Sequence, residues 1–201
     1  GVYGIMIGGW ASNNKFSLLG SLRASSQIIS YELAMGIALI ALLMLTGTLS
    51  LKEMVNGQMD HVWNVFKQPL GFLIFLICAV AECNRTPFDL AEAENELVGG
   101  YHTEYSSMKL GFYLFAEYIN MFVSSVIMSS LFFGGFDVLP FVDESKWGLS
   151  ENWMALLGIG ALMAKVGFFL FLFMWVRWTI PRFRYDQLMN LGWKILIPLA
   201  L

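Results

Sequence analysis

The chain has 201 residues, 57% of them hydrophobic and only 13% charged, with a formal net charge of −3. Soluble domains average about 25% charged residues, so the composition argues against a water-soluble globule, and the small net charge gives no reason to expect a nucleic-acid partner. The two cysteines, Cys78 and Cys83, form no CxxC or iron–sulfur ligand run, and His61 and His102 both fall in connections, which argues against a local iron–sulfur site and against a bis-histidine haem within a membrane.

Taken in order, residues 1–9 read as the tail of a membrane span and 10–23 as a polar connection. An apolar helix is predicted over about 24–49, followed by a loop with Lys52, Glu53, Asp60 and His61. A short span, 68–82, opens at Pro69. A hydrophilic insert, 83–105, separates it from a long span at 106–133. After a second acidic loop come a span at 153–178, a connection at 179–190 and the first residues of another span at 192–201. The full spans approach or exceed the roughly 20 residues needed to cross a bilayer. The expectation is an all-α, polytopic transmembrane helix bundle forming one membrane domain, cut at both ends.

Within the insert, Thr86 suits an N-cap, Pro87 a first helical position, and Asp89 completes a capping-box spacing. Gly99 and Gly100 offer a stop. On the predicted helix Asp89, Glu92 and Glu96 share one face within about 60°, with Glu94 on the other side. By composition alone a solvated acidic helix is the usual reading of such a run; its setting between spans favours mutual repulsion that brings a carboxylate near neutral titration.

Charges also stand inside spans. Glu32 lies about 13 Å along its helix from Arg23, Glu82 closes the short span, and Glu117 and Lys165 sit well inside theirs. At roughly 3 kcal/mol each for a bilayer-centred charge, they must face protein or water. Tyr113, Glu117, Asn120 and Ser124 fall on one stripe, which reads either as interhelical hydrogen-bonding or, through Glu117, as a proton path. Lys165 reads as a counter-charge to a buried glutamate or as part of that path. The phenylalanines at 168, 169, 171 and 173 read as lipid-facing, and Arg182 and Arg184 as membrane-surface anchors. Eight basic residues (Lys15, Arg23, Arg85, Lys109, Arg177, Arg182, Arg184 and Lys194) fall on the side of the insert against three (Lys52, Lys67 and Lys146) on the other. That asymmetry puts the insert on the cytoplasmic or matrix side.

Three blocks carry a family resemblance: Gly9 to Asn13 with Arg23-Ala24 and Ser30-Tyr31-Glu32; Glu82 and Asn84 to Glu92, with Glu94, Glu96 to Val98, Gly100 and Glu104-Tyr105; and Pro181 to Leu188. In this order they resemble the H-type membrane subunit of the proton-pumping NADH:quinone oxidoreductase, respiratory complex I, without that family's earlier spans. The resemblance implies a membrane subunit that helps form the chamber where ubiquinone or menaquinone is reduced, coupled to proton translocation. It implies Arg23, Arg85, Phe88 and Arg177 at the quinone chamber. The proton path implied runs through Glu32, Glu82, Glu117, Asp89, Glu92, Glu94, Glu96, Glu104 and Lys165. No cofactor is expected on this chain: NADH, FMN and iron–sulfur clusters belong to partner subunits, and quinone is the substrate. Expected partners are peripheral-arm and neighbouring membrane subunits and the bilayer of a bacterial cytoplasmic or mitochondrial inner membrane. A hydrogenase or ferredoxin- or F420-linked complex has a homologous subunit and is the nearest rival. A secondary transporter would need inverted repeats, which are absent, and a passive anchor leaves the buried glutamates unexplained.

Overall fold

The computed structural model describes residues 1–59, 62–89, 99–138 and 150–201, with the backbone alone at Glu151. Among these residues every regular element is helical. The helices are α1 (Val2–Ala11), α2 (Lys15–Thr46), α3 (Leu51–Met59), α4 (Asn64–Lys67), α5 (Pro69–Glu82), α6 (Ser107–Phe132), α7 (Glu151–Thr179), α8 (Tyr185–Asn190) and α9 (Ile197–Ala200). A 3-10 turn, Gly100–His102, precedes α6, and a π-helical stretch, Leu191–Leu196, joins α8 to α9.

Among the described residues three helices are long and apolar enough to cross a membrane: α2, α6 and, from Asn152, α7. α5 has 14 residues, about 21 Å of helix, and falls short of a straight crossing alone. It packs along α2, which also packs against α1. Tyr31, Ala34, Ala38 and Leu42 of α2 meet Ile74, Phe75 and Cys78 of α5 in the main core, closed by Met128 and Phe132 of α6 and Phe169 and Phe173 of α7. Only half of the phenylalanine run therefore faces outward: Phe168 and Phe171 are exposed, while Phe169 and Phe173, one helical turn apart, are buried.

α2 begins at Lys15, well before the predicted boundary, because its polar residues are satisfied locally. Asn14 caps it by accepting from the Phe16 N–H at 3.0 Å. Ser21, Ser25, Ser26 and Ser30 each donate to a carbonyl three or four residues back, so a serine-rich turn stays helical while buried. Gly47, left-handed at φ 71°, ends it. Glycine also lets α2 approach the 3-10 turn closely: a Cβ on Gly20 would stand 2.9 Å from the Gly100 Cα.

The predicted helix start at Pro87 does not form. The Phe88 N–H closes a turn onto the Arg85 carbonyl at 2.8 Å, and the Pro87 carbonyl accepts from the Phe183 N–H at 3.1 Å. The Asp89 carboxylate, cast as a capping-box partner, instead meets Arg182. Both groups serve a tertiary contact that local spacing does not report. Glu92, Glu94 and Glu96 lie outside the described residues, as do Asp60 and His61.

Candidate functional site: a small arginine-lined pocket

The three sequence blocks converge at one end of the bundle. Gln27, fully buried on α2, donates to the carbonyls of Ala81 at 3.0 Å and Phe88 at 2.8 Å. Phe88 lies edge-on to Tyr31, with ring centroids 5.5 Å apart, and against Phe183 at 5.7 Å. Arg182 reaches Asp89 at 2.7 Å, and Tyr31 donates to the Leu188 carbonyl at 3.0 Å. The segment after α5 is thus pinned between α2 and the segment after α7.

Beside this junction a pocket of about 140 Å³ opens between α5, α6 and α7. Val80, Met121 and Phe173 line it with apolar surface, and Arg85, Tyr118, Arg177 and Trp178 supply the charged and aromatic side. Its volume suits one small ring, since an apolar cavity of about 150 Å³ holds benzene. Arg85 Nε stands 3.0 Å from Glu117 Oε2, with the two side chains 18% and 10% exposed. The Arg85 guanidinium also covers the Tyr118 ring at 4.7 Å. Its Nη2 is buried without a hydrogen-bond partner among the described residues. Arg177 stacks at 5.8 Å from the Trp178 ring centroid.

Of the four residues expected at a quinone chamber, Arg85 and Arg177 share this pocket. Arg23 is half-buried on α2 and Phe88 is a core residue, and neither lines it. The residues of the expected proton path separate into distinct settings. Glu117 adjoins the pocket through Arg85. Glu82, at the end of α5, lies within electrostatic reach of Glu32, which is exposed on the membrane-spanning part of α2. Asp89 is buried against Arg182, and Glu104 accepts from the Asn14 side chain at 2.8 Å. Lys165 is far from these carboxylates along its helix, at the opposite end of α6, where it donates to the Phe133 carbonyl at 2.7 Å. The polar stripe on α6 is interrupted, because Asn120 is exposed.

An aromatic group next to Asp89 was not foreseen from the sequence. Tyr101, His102, Tyr105 and Tyr113 pack together, with Tyr101–His102 and Tyr105–Tyr113 centroids 4.0 and 4.9 Å apart, and Tyr105 donates to the Gly8 carbonyl at 2.9 Å. Burial pushes the His102 imidazole below its usual range, opposed by the negative charge of Asp89. The repeated aromatics in the insert were the available signal. No group of three or more His, Cys, Asp or Glu residues among those described is placed to hold a metal ion.

The family model described as NADH dehydrogenase matches residues 1–201. The chain belongs to that family. It is 66% identical to the first H-type subunit of the NADH-quinone oxidoreductase of Cytophaga hutchinsonii and 68% identical to the H-type subunit of the NADH-quinone oxidoreductase of Flavobacterium johnsoniae. It is 52% identical to NADH-quinone oxidoreductase subunit 8 of Rhodothermus marinus. Each match covers the whole chain and 58%, 57% and 61% of those relatives respectively, so the chain spans somewhat over half their length. Together with the three long apolar helices, the family makes this a multi-pass, all-α membrane protein.

Proposed function

We propose that this chain is part of a membrane subunit of a proton-translocating NADH:quinone oxidoreductase, and that the arginine-lined pocket receives the quinone headgroup. The observation that carries the reading is the meeting of Arg85 and Arg177 at one ring-sized pocket, with Arg85 also bound to Glu117 on a membrane-spanning helix. Naming of the relatives as quinone oxidoreductase subunits supports it.

Reduction of a quinone to a quinol takes up two electrons and two protons. The electrons come from an iron–sulfur cluster in a partner subunit that draws on NADH through FMN. This chain supplies position and charge. Negative charge developing on a quinone oxygen is stabilised by a nearby guanidinium, most strongly where water is scarce. Arg85 cannot serve that charge and Glu117 independently: as it turns toward the headgroup its hold on the Glu117 carboxylate weakens. Glu117 then binds a proton more readily, and the change passes to Glu82 and Glu32 as the next pair of acids. The insert faces the cytoplasm of a bacterial cell, where the peripheral subunits cover it, in keeping with the excess of lysine and arginine on that side.

Replacing Arg177 tests the pocket. Arg177→Ala is expected to raise the apparent KM for quinone while leaving electron transfer from NADH to a hydrophilic artificial acceptor intact. An unchanged quinone KM in the assembled complex would make Arg177 an interfacial anchor and leave the pocket without its role.

A further inference from the structure

Lys165 stands near the middle of α7, where an ammonium facing lipid would be costly. Arg177 of α7 shares the pocket with Tyr118 of α6, while Lys165 meets the far end of α6, so the two helices run antiparallel and Lys165 is level with the last turn of α6. There the chain turns through Gly134 and Gly135, both left-handed at φ 69° and 55°. The turn brings three backbone carbonyls onto Lys165 Nζ: Phe133 at 2.7 Å, Gly135 at 3.1 Å and, closer still, Asp137. The Trp63 ring covers the same ammonium at 4.4 Å, and Trp63 Nε1 donates to the Asp137 carboxylate at 2.6 Å. Adjacent carbonyls have their own donors. Leu131 accepts from Gln58 at 3.2 Å and Asn64 at 3.0 Å, and the Gly134 N–H is held by Gln58 Oε1 at 3.1 Å.

Three carbonyls match the three hydrogens of an ammonium. They also sit where a helix C-terminus favours positive charge. Carbonyl oxygens with an aromatic face are the surroundings that coordinate a bare monovalent cation. Among the described residues the groups that accept from the ammonium are backbone carbonyls, which neither give nor take a proton at working pH, and the Asp137 carboxylate is held by Trp63 instead, so this end of α6 suits a fixed charge better than a relay.

We propose that the C-terminal end of α6 is a monovalent-cation site which Lys165 fills with its own ammonium, fixing α6 against α7. The site stands independently of the quinone reading, because its evidence lies at the opposite end of α6. It makes Lys165 a positioning residue that keeps Glu117 of α6 in register with Arg177 of α7.

Vacating the site tests it. Lys165→Met keeps an unbranched apolar stem and removes the cation. In the whole complex, with choline as the only cation, it is expected to melt well below wild type. Potassium or ammonium should restore most of the loss while leaving wild type unmoved. Lys165→Arg retains a charge that does not release a proton at working pH, and is expected to keep the wild-type ratio of protons translocated to NADH oxidised. Three results would overturn the proposal. The Met variant could melt like wild type. It could gain nothing from either cation, including failure to assemble in potassium-rich medium. The Arg variant could assemble and reduce quinone yet translocate fewer protons.

Discussion

Arg85 and Glu117 hold each other at 3.0 Å with little water around either. Replacing one member of such a pair leaves the other charge buried and unopposed. Glu117→Gln keeps an acceptor for Arg85 but deletes the opposing charge, so a loss of about 2 kcal/mol is expected, larger than an isosteric change at a neutral site would give. Adding Arg85→Met should return part of it, and melting the assembled single and double variants checks the non-additivity. The sequence showed Glu117 as a charge in a span, but its partner lies 32 positions away in a connection, where no helical periodicity points. His102 gives a second prediction. Its folded pKa lies below the unfolded value near 6.5 because burial favours the neutral ring. Stability from this group is therefore full above about pH 6.5 and is lost as pH falls from there through the lowered value. His102→Asn should flatten that acid-side fall, measured as the melting temperature at pH 7.5 and at about pH 5.5.

At the scale of elements, apolar run length located α6 and α7 closely, since each end coincides with a change in polarity. The start of α2 was hidden because residues 15–23 look like a loop by composition, yet Asn14 caps them and Ser21 bonds back to its own helix. The helix start expected at Pro87 failed for the converse reason: Pro87 and Asp89 are claimed by Phe183 and Arg182, more than 90 positions along the chain. Convergence of the three blocks could be anticipated only through the family resemblance. The contact between α2 and the 3-10 turn depends on having no side chain at Gly20. Gly20→Ala places a methyl against the Gly100 backbone, which has no rotamer to yield, and is expected to cost about 1–3 kcal/mol. Proteolysis between α5 and α6 in the assembled variant should speed up, whereas Gly36→Ala, with open space around it, should leave the rate unchanged.

For the whole molecule, coupling requires that charge changes at the pocket be felt inside the membrane. One condition is topological. Thr103 is exposed on the connection before α6, so a cysteine there should be labelled by an impermeant reagent only after the cytoplasmic face is opened and the peripheral subunits are stripped from it; labelling in intact cells would reverse the orientation. The other condition is that quinone reaches the pocket. The most direct measurement is photolabelling of the assembled complex with a quinone carrying a photoreactive group on its ring, followed by peptide mapping. Label is expected on the segments around Cys83–Thr86 and Phe173–Trp178, suppressed by excess native quinone and much reduced in Arg85→Met. Label confined to other segments of this chain or to other subunits, and unchanged by Arg85→Met, would refute a quinone site at this pocket.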